Sequence, residues 1–101
     1  MAFKTMAVKV SGDVYHLREL SAGAIECVDD AQSEYVQALT MVALSLCDDN
    51  GLPMFKPRPD AVDAALDMVR KMPVSLVRDY LIPAATTLNT EGGSLDDARG
   101  N

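Results

Sequence analysis

Tyr35-Val36-Gln37-Ala38-Leu39-Thr40-Met41-Val42-Ala43-Leu44-Ser45-Leu46-Cys47 is the run on which the fold turns. Only Gln37, Thr40 and Ser45 are polar in it, so a helix wound from these residues has no wide polar face. Such a helix sits at the centre of a fold or in a self-association seam. Working back from it, Ser21 is a plausible N-cap, and Ile25, Val28, Tyr35, Leu39, Val42 and Leu46 form a loose apolar series with helical spacing. The pattern fits one helix over 22–48 as well as two helices with a break near residues 31–34.

Working forward, Asp48-Asp49-Asn50-Gly51 reads as the stop of that helix, with Gly51 or Asn50 in the left-handed C-cap conformation. The loop that follows, 52–59, holds three prolines, which preclude continued helix. It also carries Leu52, Met54 and Phe55, three bulky apolar side chains that are either tucked against the core or offered to a partner. The weight falls on tucking, because a soluble monomer rarely exposes such a patch. From Asp60 an amphipathic helix places Val62, Leu66, Val69 and Met72 inward and Asp63, Asp67, Arg70 and Lys71 toward water. Asp67 and Lys71 make an i,i+4 pair worth a few tenths of a kcal/mol. Pro73 suits the first turn of a last helix with Val77, Tyr80, Leu81, Ala84 and Leu88 on its buried face. Pro83 predicts a kink or break around residues 79–82.

At the other end, Ala7-Val8-Lys9-Val10 and Val14-Tyr15-His16-Leu17 flank Ser11-Gly12-Asp13 and read as a β-hairpin over about residues 7–17. A lone hairpin is marginal in water, so it must lean on the helices or pair with a neighbouring subunit's edge. The expected fold is mainly α: a compact helical bundle with a short N-terminal β-hairpin, one domain over 1–90. Residues 91–101 form an acidic, Gly-containing tail that is expected to be disordered.

Composition narrows the function. A net charge of -6 disfavours contact with nucleic-acid backbones and anionic membranes, and no segment reaches the roughly 20 apolar residues of a membrane span. Residues 1–10 lack the apolar run and cleavage site of a signal peptide. Cys27 and Cys47 lie in apolar helical patterns and read as buried free thiols in a reducing, cytosolic setting. The core must be built from Leu, Val, Ala and Met, since there is no Trp. Six Met residues fill gaps or supply an adaptable surface.

Catalytic chemistry is thin. His16, the one histidine, lies beside Arg18 and Glu19 and reads as a solvated strand residue, and one His with two separated Cys does not complete a zinc site. Asp48-x-Asn50-Gly51 resembles part of a calcium loop, but the ligand positions at its two ends fall on Leu46 and Pro57. Gly92-Gly93 lacks the Lys and Ser or Thr of a phosphate loop, and the carboxylates are spread over turns and helix faces. The expectation is a protein that binds another protein, with no catalytic role, no cofactor and no metal.

The order of elements carries a resemblance. The hairpin followed by Val14-Tyr15-His16-Leu17-Arg18-Glu19-Leu20-Ser21, then Ala43-Leu44-Ser45-Leu46-Cys47-Asp48-Asp49-Asn50-Gly51 leading to Phe55, then Met72-Pro73 and a helix ending Ala84-Ala85-Thr86-Thr87-Leu88-Asn89, resembles the tail assembly chaperones of long-tailed bacteriophages over roughly residues 7–90. Pro83 and the 56–59 loop depart from that pattern. The resemblance implies a non-enzymatic helical protein of the infected host's cytoplasm that binds the tape measure protein, keeps it soluble and is absent from the mature virion. It also implies a longer form in many members, made by ribosomal frameshifting near the end of the short reading frame, whose added segment recruits the tail tube protein. A Met-rich apolar surface covering a client's apolar stripes supplies the mechanism, and coating a long chain favours many copies, hence a homo-oligomer. The expected partner-binding residues are Leu52, Met54, Phe55, Met41, Leu44 and Tyr80. Three rival readings are a structural head-to-tail or tail-completion component, an acidic regulator of a host protein, and a small enzyme.

Overall fold

The computed structural model describes residues 3–55 and 58–90; the tail expected to be disordered, 91–101, lies outside the described residues. The chain is mainly helical with a small antiparallel sheet. Strands β1 (Thr5–Val10) and β2 (Asp13–Arg18) form the hairpin, longer than predicted, with Val10 paired to Asp13 across a two-residue turn. Both turn residues, Ser11 and Gly12, have positive φ, 51° and 91°. That is the twist that lets a two-residue loop close a right-twisted ribbon. Met6, Val8 and Val10 alternate inward on β1, and Tyr15 and Leu17 do so on β2.

The open question over 22–48 resolves as two helices, α1 (Ala22–Asp29) and α2 (Glu34–Ser45). Each begins at a serine: Ser21 Oγ accepts from the Ala24 N–H and Ser33 Oγ from the Val36 N–H, both at 3.2 Å. Ser33 takes an extended conformation to do this, and the helical phase restarts behind it. The apolar series that ran through the break therefore loses its meaning: Leu39, Val42 and Leu46 are buried, Val28 is half-buried, and Ile25 and Tyr35 are exposed. Inside α2 the buried Thr40 is satisfied locally, its hydroxyl donating to the Val36 carbonyl at 2.7 Å.

Helix α2 stops at Ser45, two residues before the end of the apolar run. Leu46 and Cys47 form a third strand, β3, antiparallel to β2 with Leu17 opposite Leu46 and His16 opposite Cys47. The far edge of β2 needs backbone partners, and these two buried residues provide them. The C-cap reading of 48–51 is corrected accordingly. Asp48 Oδ1 accepts from the N–H groups of Asn50 and Leu52, both at 2.9 Å, Gly51 sits at φ 81°, and the chain doubles back to bridge Pro53 against Cys47. Asn and Gly are required here by a turn between extended segments.

Helix α3 (Pro59–Arg70) packs on α2 through Ala65, Leu66 and Val69, as its amphipathic spacing predicts, with Val62 and Met72 half-buried beside them. Pro73 precedes a last helical segment made of α4 (Val74–Leu76), a π-helical turn (Val77–Leu81) and α5 (Ile82–Thr90). The chain does not break at Pro83. The Ile82 N–H reaches back to the Val77 carbonyl, and this wider turn, ahead of a residue that has no N–H and a bulky ring, keeps the backbone helical. The extra residue in the turn also moves the buried face. Leu76, Val77, Leu81, Ala85 and Leu88 are buried, whereas Tyr80 is exposed and Ala84 only half-buried. The main core gathers these residues with Leu17, Leu39, Val42, Ala43 and Leu46 around α2, and Leu20, Ala24 and Leu44 form a smaller cluster beside it.

Candidate partner-binding surface

Residues 52–55 form a strap rather than a free loop. Its base is held by the Asp48 turn, by the Arg18 guanidinium donating to the Gly51 carbonyl at 3.3 Å, and by the Met54 N–H donating to the Leu46 carbonyl at 3.1 Å. Arg18 is itself fixed from the other side by the Phe3 ring, 3.9 Å below its central carbon. Pro53 and Phe55 line a small cleft with Leu20, Ala24 and Leu44, while Leu52 and Met54 stand out in solvent, 62% and 55% exposed. Tucking and display thus both occur: Phe55 is tucked, and Leu52 and Met54 are displayed.

The six residues expected to meet a partner separate into three situations. Leu52 and Met54 are exposed on a backbone fixed by hydrogen bonds. Phe55 and Met41 are half-buried and pack on Leu44, which at 6% exposure lies beneath them and supports the strap from below. Tyr80, 47% exposed, projects from the π-helical turn and shares no apolar cluster with the others.

Asn89 locks the end of α5 to the junction below the strap. Its Oδ1 accepts from the Leu20 N–H at 2.7 Å, and its Nδ2 donates to the Ala85 carbonyl at 2.8 Å and to the fully buried Ser45 hydroxyl at 3.4 Å. One polar side chain thus ties three elements together at a place where apolar packing alone has no direction.

Two concave features were not legible in the sequence. A groove of about 380 Å³ runs between α1, α2 and α3, with Cys27, Val36, Val62 and Leu66 on its walls and Asp30, Asp63 and Arg70 at its rim. A smaller hollow of about 160 Å³ lies where Tyr35, Met72 and Val74 meet over Leu39 and Val77. Tyr35 read as core, and its exposure follows from the phase break at Ser33.

Of the two thiols expected to be buried, only Cys47 is; Cys27 is half-buried. Burial pushes the Cys47 thiol pKa above its ordinary value, the Asp48 carboxylate adds to this, and Arg18 opposes it. His16, expected in solvent, is half-buried opposite Cys47 on the sheet, but a thiol held protonated is a poor nucleophile. A raised folded pKa means that the fold favours the neutral thiol. Its contribution to stability is complete below the unfolded value and is lost as pH rises through the folded one. Alkylation of the native chain at pH 8 should therefore label Cys27 quickly and Cys47 only after denaturation. Equal labelling rates by mass spectrometry would contradict this placement.

No helix among the described residues is long and apolar enough to cross a membrane, and no group of three or more His, Cys, Asp and Glu side chains there is arranged to hold a metal ion. In comparisons with known proteins, the chain matches no family model, no curated protein and no solved structure.

Proposed function

We propose that this chain is a tail assembly chaperone of the long-tailed bacteriophage type. It is a non-catalytic protein that binds the tape measure protein in the cytoplasm of the infected host, holds it soluble while the tail tube assembles, and leaves before the virion is complete. The observation that carries the reading is the display of Leu52 and Met54 on a strap fixed by backbone hydrogen bonds over Phe55 and Leu44. Large apolar side chains held out on an ordered backbone bind an apolar stripe without first losing chain entropy. Tyr80 offers a further apolar contact on the C-terminal helical segment.

The acidic surface completes the mechanism. At a net charge of -6 each bound copy adds like charge to the client, so coated chains repel one another where bare apolar stripes would associate. Several copies on one long client make self-association natural. A frameshifted longer form would carry a tail-tube-recruiting segment beyond residues 91–101.

Co-expression with a tape measure protein tests the proposal. The client should move from the pellet to the soluble fraction, and the chain should be missing from purified particles. A client that stays insoluble would count against the chaperone, and detection of the chain in particles would favour a structural head-to-tail component.

A further inference from the structure

The free edge of the sheet has a symmetry of its own. The sheet order is β1-β2-β3, and β3 is bridged on its outer side by Pro53, so β1 is left as the open edge. The Glu19 N–H donates to the Lys4 carbonyl at 2.8 Å, and the register continues unshifted from Thr5 opposite Arg18 to Val10 opposite Asp13. In an antiparallel ladder the bonded pairs alternate, so Met6, Val8 and Val10 spend their backbone groups on β2, and Lys4 spends its own on Glu19. The N–H and C=O groups of Thr5, Ala7 and Lys9 point the other way. Among the described residues none of them has a hydrogen-bond partner.

Natural sheets shield such an edge with proline, a bulge, a very short strand or dense charge. Six-residue β1 has no proline and no bulge, and Lys9 is its one charge. Met6, Val8 and Val10 belong to the inner, core-facing row yet remain half-buried.

We propose that β1 pairs antiparallel with β1 of a second copy of this chain about a two-fold axis through Ala7, joining two three-stranded sheets into one of six strands. Moving the axis to Met6 or to Val8 pairs Lys9 or Thr5 with a residue outside β1. The axis through Ala7 sets Ala7 against Ala7 of the second copy and Thr5 against Lys9, so every outward backbone group of the three residues is bonded. It also brings Met6 beside Val8 of the second copy on the inner face. The charge pattern agrees: Lys9 faces a neutral threonine and Lys4 faces Val10, so the two-fold opposes no like charges across the new ladder. The smallest side chain of the strand interior lies on the axis. The interface is small for a permanent dimer, so the pairing is reversible and concentration-dependent.

This inference deepens the expectation of a homo-oligomer, and because its test uses the purified full chain alone it stands or falls apart from the identity of any client. Sedimentation of the wild-type chain should show a reversible monomer–dimer equilibrium. Ala7→Pro removes an N–H that has no partner within the chain, at an edge position that proline tolerates. It should raise the dimer dissociation constant by about tenfold or more while the circular dichroism spectrum stays unchanged. In a Cys27→Ser background, Ala7→Cys should cross-link under mild oxidation, since bonded pairs place Cα atoms about 5.5 Å apart, within disulfide reach. Lys9→Cys, set far from its own copy in this register, should not. A chain that stays monomeric at every concentration, or one whose Lys9→Cys variant cross-links as readily as Ala7→Cys, overturns the proposal.

Discussion

Leu81→Ala should lower the free energy of unfolding by about 3 kcal/mol, as deletion of a fully buried leucine does when its surroundings cannot collapse into the space. Leu81 has no exposed surface, and it belongs to the cluster in which the C-terminal helical segment meets Leu17, Leu39, Val42 and Val69. For a domain of this size that loss lowers the melting temperature by roughly 15 °C. The neighbouring Tyr80→Ala is the internal control. Tyr80 is 47% exposed, and its truncation should change stability by less than about 0.5 kcal/mol. An uninterrupted helical period would bury both residues. Chemical denaturation of the two variants therefore reports on the π-helical turn itself, and similar losses at 80 and 81 would mean that the wider turn is not there.

That turn also marks where the sequence stops being readable. The proline at 83 announces an irregularity, and its position is correct to within a few residues. Whether a helix answers a proline by breaking, bending or widening depends on what its two halves pack against. Here Val77 and Leu81 are buried on one side of the disturbance and Ala85 and Leu88 on the other, so both halves are held and the turn widens. Helix α3 shows the opposite case. Its inward and outward residues are set by local periodicity alone, and the packing of Leu66 and Val69 follows directly from it.

The hairpin was legible for a similar reason: Ser11-Gly12 supplies two left-handed residues between β-branched runs. The third strand was not. Leu46 and Cys47 continue a helical apolar pattern without interruption, and only the unpaired edge of β2, a partner distant in sequence, draws them out of it. The same long-range pairing turns residues 48–51 from a helix cap into a reversal and fixes the strap behind it. Phe55 packs on the small cluster, while Leu52 and Met54 face water. Without the bridge from Cys47 to Pro53 nothing pins the strap, so composition alone sees only three apolar residues in a loop.

The strap carries the functional account, and changing Leu52→Ser together with Met54→Ser should weaken retention of the tape measure protein by at least about tenfold. Burying the exposed part of one leucine or methionine contributes on the order of 1 kcal/mol, so two together account for at least that ratio. The fold should be indifferent to the change, because both side chains are largely in solvent and the bonds that hold the strap use backbone atoms of Leu52 and Met54. Unaltered melting of the variant separates lost binding from lost structure. Asp67→Ala, on the exposed face of α3, serves as the surface control. The decisive measurement is co-purification of the tape measure protein with each of the three tagged chains after co-expression. Client should be bound to the wild type and to the Asp67 variant and largely absent from the strap variant. Equal client on all three, or none on any, would contradict the proposed role of the strap.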